Sequence, residues 1–305
     1  MKKLILILII ISTLGTISQG IGLANNQVPI IVMIDNHKDA RPQYGIGSAD
    51  IVYEALAEGG ITRFMAIFIG KNIAKIGPIR SAREYFVKLA YPYKGLYVHC
   101  GGSPYAYISI KKLGLYDLDQ LVHEGYFKRD HTKKAPHNLF TSTMLLKKAI
   151  AKFHLLPPPR FPYFGANKSF LKNKNPIKKI YIKYNKMYAL SYVYNKEKNN
   201  YTRYIKNIPW KDALTNKPIE VKNIIILYVP TYIRKNDKEG RLKMKIEGTG
   251  KGILFTGGGV LSIKWVKHPK DPIYLMNKSG GKITLNPGIT WVQIIPTDKG
   301  KVAYK

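Results

Sequence analysis

Apolar residues recur with two periods in the first half of the chain and mostly with one in the second. PIIVMI (29–34) is a short, wholly apolar run that suits a buried strand. DIVYEALA (50–57) fits strand or helix. Glu58-Gly59-Gly60 follows it and ITRFMAIFI (61–69) is strand-like, so a hairpin turning at the glycines is expected. SAREYFVKLA (81–90) has helical spacing, a capping-type Ser81 at its start and Pro92 beyond its end. GLYVHC (95–100) reads as a strand ending at Gly101-Gly102. Ser103-Pro104 then opens a helix to Lys112, with serine as N-cap and proline where its missing N–H costs nothing. Residues 141–153 form a further amphipathic helix.

From Leu156-Pro157-Pro158-Pro159 to about Asn175 the chain is Pro-rich, then Lys/Asn-rich, with little period. Beyond it strand signals dominate, at 179–184, 187–194, 201–205, 223–229, 241–248, 251–256, 260–266, 273–276 and 289–295. Turn residues such as Gly257-Gly258-Gly259 and Ser279-Gly280-Gly281 separate them. The expectation is an α+β protein: a mixed α/β N-terminal domain over 28–155, a linker over 156–178, and a smaller β-rich C-terminal domain over 179–302.

Length and composition narrow the class. The 305 residues suffice for one large domain or two ordinary ones. A 45% hydrophobic content excludes a disordered polycation despite a net charge of +32. The single cysteine, Cys100, excludes an internal disulfide framework and a Cys-rich metal centre. It reads as a small buried hydrophobe, because His99 beside it on a strand points to the other face. Most of the 50 basic residues are Lys, and only nine are Arg. The excess is uneven: 19 basic and 10 acidic residues in 1–150, against 31 and 8 in 151–305. The plain reading is a Lys-rich solvated surface, yet such a field draws in acidic envelope polymers, anionic membrane surfaces or nucleic acid.

Nucleic acid is the weakest of these partners, because the N-terminus looks like an export signal. Lys2 and Lys3 precede an apolar run from Leu4 to Ile11, and Gly20-Ile21-Gly22-Leu23-Ala24 leads into polar Asn25. This is the layout of a secretory signal peptide over residues 1–24, with an uncleaved anchor as the alternative. No cysteine lies near it, so an exported protein without a lipid anchor is expected.

Candidate chemistry gathers in the first half. Three of the nine arginines, Arg63, Arg80 and Arg83, lie there close to polar motifs, and in a Lys-rich chain the forked guanidinium suggests recognition of carboxylate or phosphate. Gly77-Pro78 leads into the expected Ser81 helix, and Gly101-Gly102-Ser103 into the next, so free N–H groups there would cradle an anion. Asp35, Glu54 and His137 are the candidate acids and bases, with Asn36, Glu58 and Asn138 as further ligand-binding or orienting groups. The plainer alternative pairs the arginines with Glu54, Glu58 or Glu84. No metal ligand set stands out, since Asp35 and His37 lack a third member. There is no nucleophile elbow, Walker loop, dinucleotide fingerprint or HExxH.

IVMIDNHKDARPQ (31–43), ADIVYEALAEGGITRF (49–64), IGPIRSAR (76–83), VHCGGSP (98–104) and APHNLF (135–140) resemble the N-terminal domain of the YerB-like lipoproteins of bacteria. VKNIIILYVP (221–230), residues 248–255 and LNPGITWVQIIPTD (285–298) are similar to that family's C-terminal domain. The resemblance implies a two-domain extracytoplasmic protein and no particular reaction, the family being labelled as domains of unknown function. The missing lipobox cysteine is a departure from it. The order Ala49-Asp50, hairpin, Pro78-Ile79-Arg80-Ser81, Gly101-Gly102 is also similar to that of LytR-CpsA-Psr proteins, which move phosphate-linked glycopolymers onto the cell wall.

Three functions follow as expectations. The first is an envelope protein binding an anionic polymer, glycan or phosphate group between Arg63, Arg80 and Arg83, with Ser81, Gly101, Gly102 and Ser103 as donors. The second is a phosphoryl or glycopolymer transferase at the same site. Asp35, Glu54 or His137 would be its base, and only in that case would a divalent ion enter, at Asp35 or Asp50. The third is a scaffold whose polar motifs are buried ion pairs.

Overall fold

The computed structural model describes residues 27–159, 173 and 175–305. The expected signal peptide, and residues 160–172 and 174 of the expected linker, lie outside the described residues. In chain order the first half contributes β1 (Ile30–Asp35), β2 (Ile51–Leu56), β3 (Thr62–Phe68), α1 (Glu84–Ala90), β4 (Leu96–His99), α2 (Pro104–Leu113), β5 (Tyr116–Asp119), β6 (Lys128–Arg129), β7 (Leu139–Phe140) and α3 (Thr143–Lys152). The second contributes β8 (Lys179–Lys183), β9 (Ala189–Asn195), β10 (Asn200–Ile205), β11 (Ile208–Pro209), β12 (Glu220–Val221), β13 (Asn223–Val229), β14 (Thr231–Ile233) and β15 (Leu242–Met244). It continues with β16 (Gly248–Thr256), β17 (Gly259–Lys267), β18 (Tyr274–Met276), β19 (Thr290–Pro296) and β20 (Lys301–Tyr304). The protein is α+β, with few helices and mixed sheets.

Ten strands form one sheet, in the order β18-β17-β16-β13-β19-β2-β3-β1-β4-β5. Strands from both halves of the chain therefore share it. Their seam is parallel: β19 pairs with β2, Trp291 opposite Val52, and with β13 on its other side. Every residue of β19 is buried, as expected of a central strand covered on both faces. The β2–β3 hairpin turns at the expected glycines, where Gly59 and Gly60 take φ of +70° and +72°, a region that costs glycine little. A second sheet, β11-β10-β9-β8-β20, lays Tyr184, Tyr192 and Arg203 against Glu54 of β2 and Gln293 of β19. The contact closes over Trp210 and Trp291, whose ring centroids lie 4.5 and 4.3 Å from the Arg203 guanidinium carbon. Among the described residues, no helix is long and apolar enough to cross a membrane.

The helices behave as their caps dictate, with one correction. Ser103 caps α2 by accepting from the N–H of Ala106, and Ser142 caps α3 by accepting from that of Leu145. The helix expected from Ser81 instead begins at Glu84. Residues 78–82 are extended because their backbone is already engaged. Arg80 N–H donates to Met33 O, Cys100 N–H to Arg80 O, and Ala82 N–H to Gly101 O. The segment thus fills the gap where the ends of β1 and β4 diverge.

One core residue is out of place by charge. Lys267, at the end of β17, is 1% exposed and, among the described residues, donates only to the carbonyls of His268 and Pro269, at 3.2 and 3.4 Å. Burial pulls its pKa down to about 8. A folded pKa below the unfolded one means that charging Lys267 opposes folding at neutral pH, and that the penalty fades as pH rises from 8 towards 10.5. Lys267→Met is expected to raise the thermal midpoint at pH 7 by a few degrees and to narrow that gain at pH 10. A drop at pH 7 would show that the ammonium is needed where it lies.

Candidate functional site

The site begins with the C-terminal end of β1. Asp35 closes that strand opposite Arg63 of β3, and its carboxylate is buried. Its Oδ1 accepts from the backbone N–H of His37 at 2.9 Å. Its Oδ2 lies 2.7 Å from Nδ1 of His137 and 3.2 Å from Nε of Arg80. Three distant stretches of chain therefore meet on one carboxylate. An ionised Asp35 can only accept, so Nδ1 of His137 is the donor in this contact. The imidazole of His37 stacks on that of His137, centroids 4.7 Å apart and planes 6° from parallel.

Arg80 differs from the other two arginines. Its side chain is 30% exposed, and its Nε faces Asp35 without the alignment of a hydrogen bond. The guanidinium makes no hydrogen bond to a described residue. Arg83, by contrast, grips Glu58 with Nε at 2.6 Å and Nη2 at 2.7 Å, and donates from Nη1 to Ala82 O. Burial alone would push the Glu58 carboxyl up, but Arg83 and then Arg63 reverse this and hold it below the usual range. Arg63 is 5% exposed, donates to Ser81 O at 2.8 Å and lies 4.0 Å from Glu58. Burial, then the like charge of Arg83, lowers its pKa to about 10.

The three guanidiniums therefore do not surround one open hollow. Only Arg80 faces solvent, while Arg63 and Arg83 are occupied by Glu58 and by backbone carbonyls. The expected donor cradle is also filled. Gly101 N–H donates to Asp119 Oδ1, Ser103 N–H to Ala82 O, and Ser103 Oγ accepts from Ala106. Ala82 bridges to Gly102 in strand fashion. The seven-residue α1 starts beyond Ser81, so Ser81 is not at a helix N-terminus.

The remaining expected residues divide in the same way. Asn36 is fully buried, donating to Thr62 Oγ1 and Tyr188 OH and accepting from Arg41 and Gln43. Asn138 accepts from Arg129 at 3.0 Å. Glu54 has no exposed surface and pairs with Arg203 at 2.9 Å, so it cannot meet a substrate from solution. Asp50 lies at the other end of β2, paired with Lys71 at 3.2 Å, and five residues of strand place it roughly 16 Å along the sheet from Ala55, the register neighbour of Arg63. Cys100 donates to Gln120 at 3.2 Å, and burial, then Asp119, pushes its thiol up, away from the reactive thiolate.

Sequence reasoning weighed His37 only with Asp35 and passed over Asp39. His37 and Asp39 join His137 in a group of potential metal ligands, one atom from each lying within 4.8 Å of the others. The signal was present as His37-x-Asp39, but its partner stands a hundred residues away. The stacked rings direct their in-plane lone pairs side by side rather than at one point, so holding an ion would require His37 to turn.

Comparison with known proteins places this arrangement in a family. The model described as the N-terminal domain of a protein of unknown function (DUF3048) matches residues 19–155, and that of the C-terminal domain matches 180–292. The chain is 37% identical over 273 residues to the "Putative lipoprotein YerB" of Bacillus subtilis (strain 168), covering 88% of this chain and 81% of that one. The crystal structure of the YerB protein from Bacillus subtilis, at 33% identity, matches with a TM-score of 0.80 over 92% of this chain and 95% of that one. Two domain matches in the expected order and a relative similar along most of its length make this chain a member of the DUF3048 family.

Proposed function

We propose that the protein is exported to the cell envelope and there binds a phosphate- or carboxylate-bearing ligand at the Arg80 face of its first half. The observation that carries this reading is the partly exposed guanidinium of Arg80, which among the described residues is ion-paired only to Asp35 through Nε, with the stacked imidazoles of His37 and His137 next to it. The location rests on the leader-like residues 1–24 and on similarity to a protein named as a lipoprotein. The chain's net charge of +32 favours acidic partners.

Calorimetric titration with phosphate, pyrophosphate and a purified anionic wall polymer tests the reading. Arg80→Ala is expected to weaken binding at least about tenfold, the scale of one lost charge-assisted contact, with little change in thermal midpoint. Equal affinity in wild type and variant would sink it.

The contact of Asp35 with His137 favours a second reading, a phosphoryl or glycosyl transferase. In it Nε2 of His137 takes the proton of an attacking hydroxyl while Asp35 orients the ring and Arg80 meets charge developing on the transferred group. His137→Gln would then abolish turnover, assayed with and without magnesium, while leaving binding intact.

A further inference from the structure

A cavity of about 790 Å³ lies where residues 56–60, 183–187, β14, β15 and 296–301 meet. Its volume is that of a small-molecule site. Leu56, Ile233, Leu242 and Pro296 give it an apolar lining, and Met187 and Ile233 stand at 72% and 63% exposure at its edge. The charged residues around it are nearly all of one sign. Lys183, Lys186, Lys299 and Lys301 line it, and none of them forms an ion pair among the described residues. The one acid present, Glu58, is committed to Arg83.

The register sharpens the point. Lys301 of β20 lies directly opposite Lys183 of β8 in an antiparallel pair. Like charges in that position destabilise a sheet, and no carboxylate relieves them here. An apolar hollow edged by a repelling lysine pair is complementary to a molecule with a greasy body and an anionic end.

We propose that this cavity binds a single-chain anionic amphiphile. Its hydrocarbon chain would lie over Leu56, Ile233 and Leu242, and its phosphate or carboxylate between Lys183 and Lys301. The site shares no residue with the Arg80 cluster, so the two stand or fall separately.

Titration calorimetry on the full chain tests it. The probes are dodecyl phosphate and dodecanoate below their micelle-forming concentrations, with dodecyltrimethylammonium and inorganic phosphate as controls. Saturable one-site binding of the two anions is expected, at least tenfold tighter than either control. Comparing phosphate with carboxylate reports which headgroup the lysine pair prefers. Ile233→Glu, a change at a 63% exposed position, and the double variant Lys183→Glu/Lys301→Glu should each weaken dodecyl phosphate at least tenfold with thermal midpoints near wild type. Arg80→Ala should leave it unchanged. No saturation, equal binding of the cationic amphiphile, or wild-type affinity in both pocket variants overturns the proposal.

Discussion

Arg203→Met is expected to lower stability by about 3–5 kcal/mol, because it leaves the Glu54 carboxylate buried without its counter-charge. Both side chains are fully buried, and their oxygens and nitrogens approach to 2.9 Å. Burial pulls the Arg203 pKa down, but Glu54, Tyr192 and Tyr188 more than reverse this, so the guanidinium stays charged. Its nitrogens also donate to Tyr192 and Tyr188, at 2.6 and 3.0 Å, and its face lies on two tryptophans. Met preserves much of the packing and none of the charge. For a chain of this size, about 1 kcal/mol moves the thermal midpoint by roughly 2–4 °C, so a fall on the order of 10 °C should appear in calorimetry. Pairing the change with Glu54→Leu should recover most of the loss, since an apolar pair of similar volume is often as stable as a buried ion pair. A single variant within 2 °C of wild type would mean that the pair does not hold the two sheets together.

Glu58→Gln should be nearly as damaging, at about 3 kcal/mol, because it strips the carboxylate from Arg83 and Arg63 together. The loss should depend on pH. The folded carboxyl is held below its ordinary 4.5, so its contribution is complete above that pH and disappears as the pH falls through the lower, folded value. Thermal midpoints of wild type and Glu58→Gln should therefore differ most near pH 7 and converge on acidification below about pH 4. A gap that stayed constant from pH 7 to pH 3 would remove the ion pair as its cause.

Much of the fold was legible because local rules and global packing agree. The hairpin around Gly59-Gly60, the Ser103-Pro104 helix start and strand 223–229 all follow from turn chemistry, capping and apolar runs that need no partner to interpret. The Ser81 helix was misplaced because capping residues also serve extended chain, and here hydrogen bonds to Met33 and Gly101 outweigh three residues of helical propensity. The expected strand at 241–248 splits into β15 and β16, which belong to different sheets.

The site was legible in composition and not in arrangement. Asp35, Arg80 and His137 were named from their motifs and do converge. The sequence offered Glu58 as one of three possible partners for the arginines and could not single it out for Arg83, nor tell that Glu54 turns to Arg203, 149 residues away. Partner choice among charges is decided by sheet register, and the parallel pairing of β2 with β19 leaves no local trace.

That pairing also governs how the molecule can be made. Residues 51–56 are synthesised early, yet the strand that must lie beside them spans 290–296. A nascent chain emerging from the ribosome holds an apolar β-edge open until more than two hundred further residues have followed, a long interval in which that edge is free to pair with the wrong partner. Cutting the gene between the two halves should therefore yield two sticky fragments rather than two working modules, and co-expressing them should rescue solubility that neither has alone.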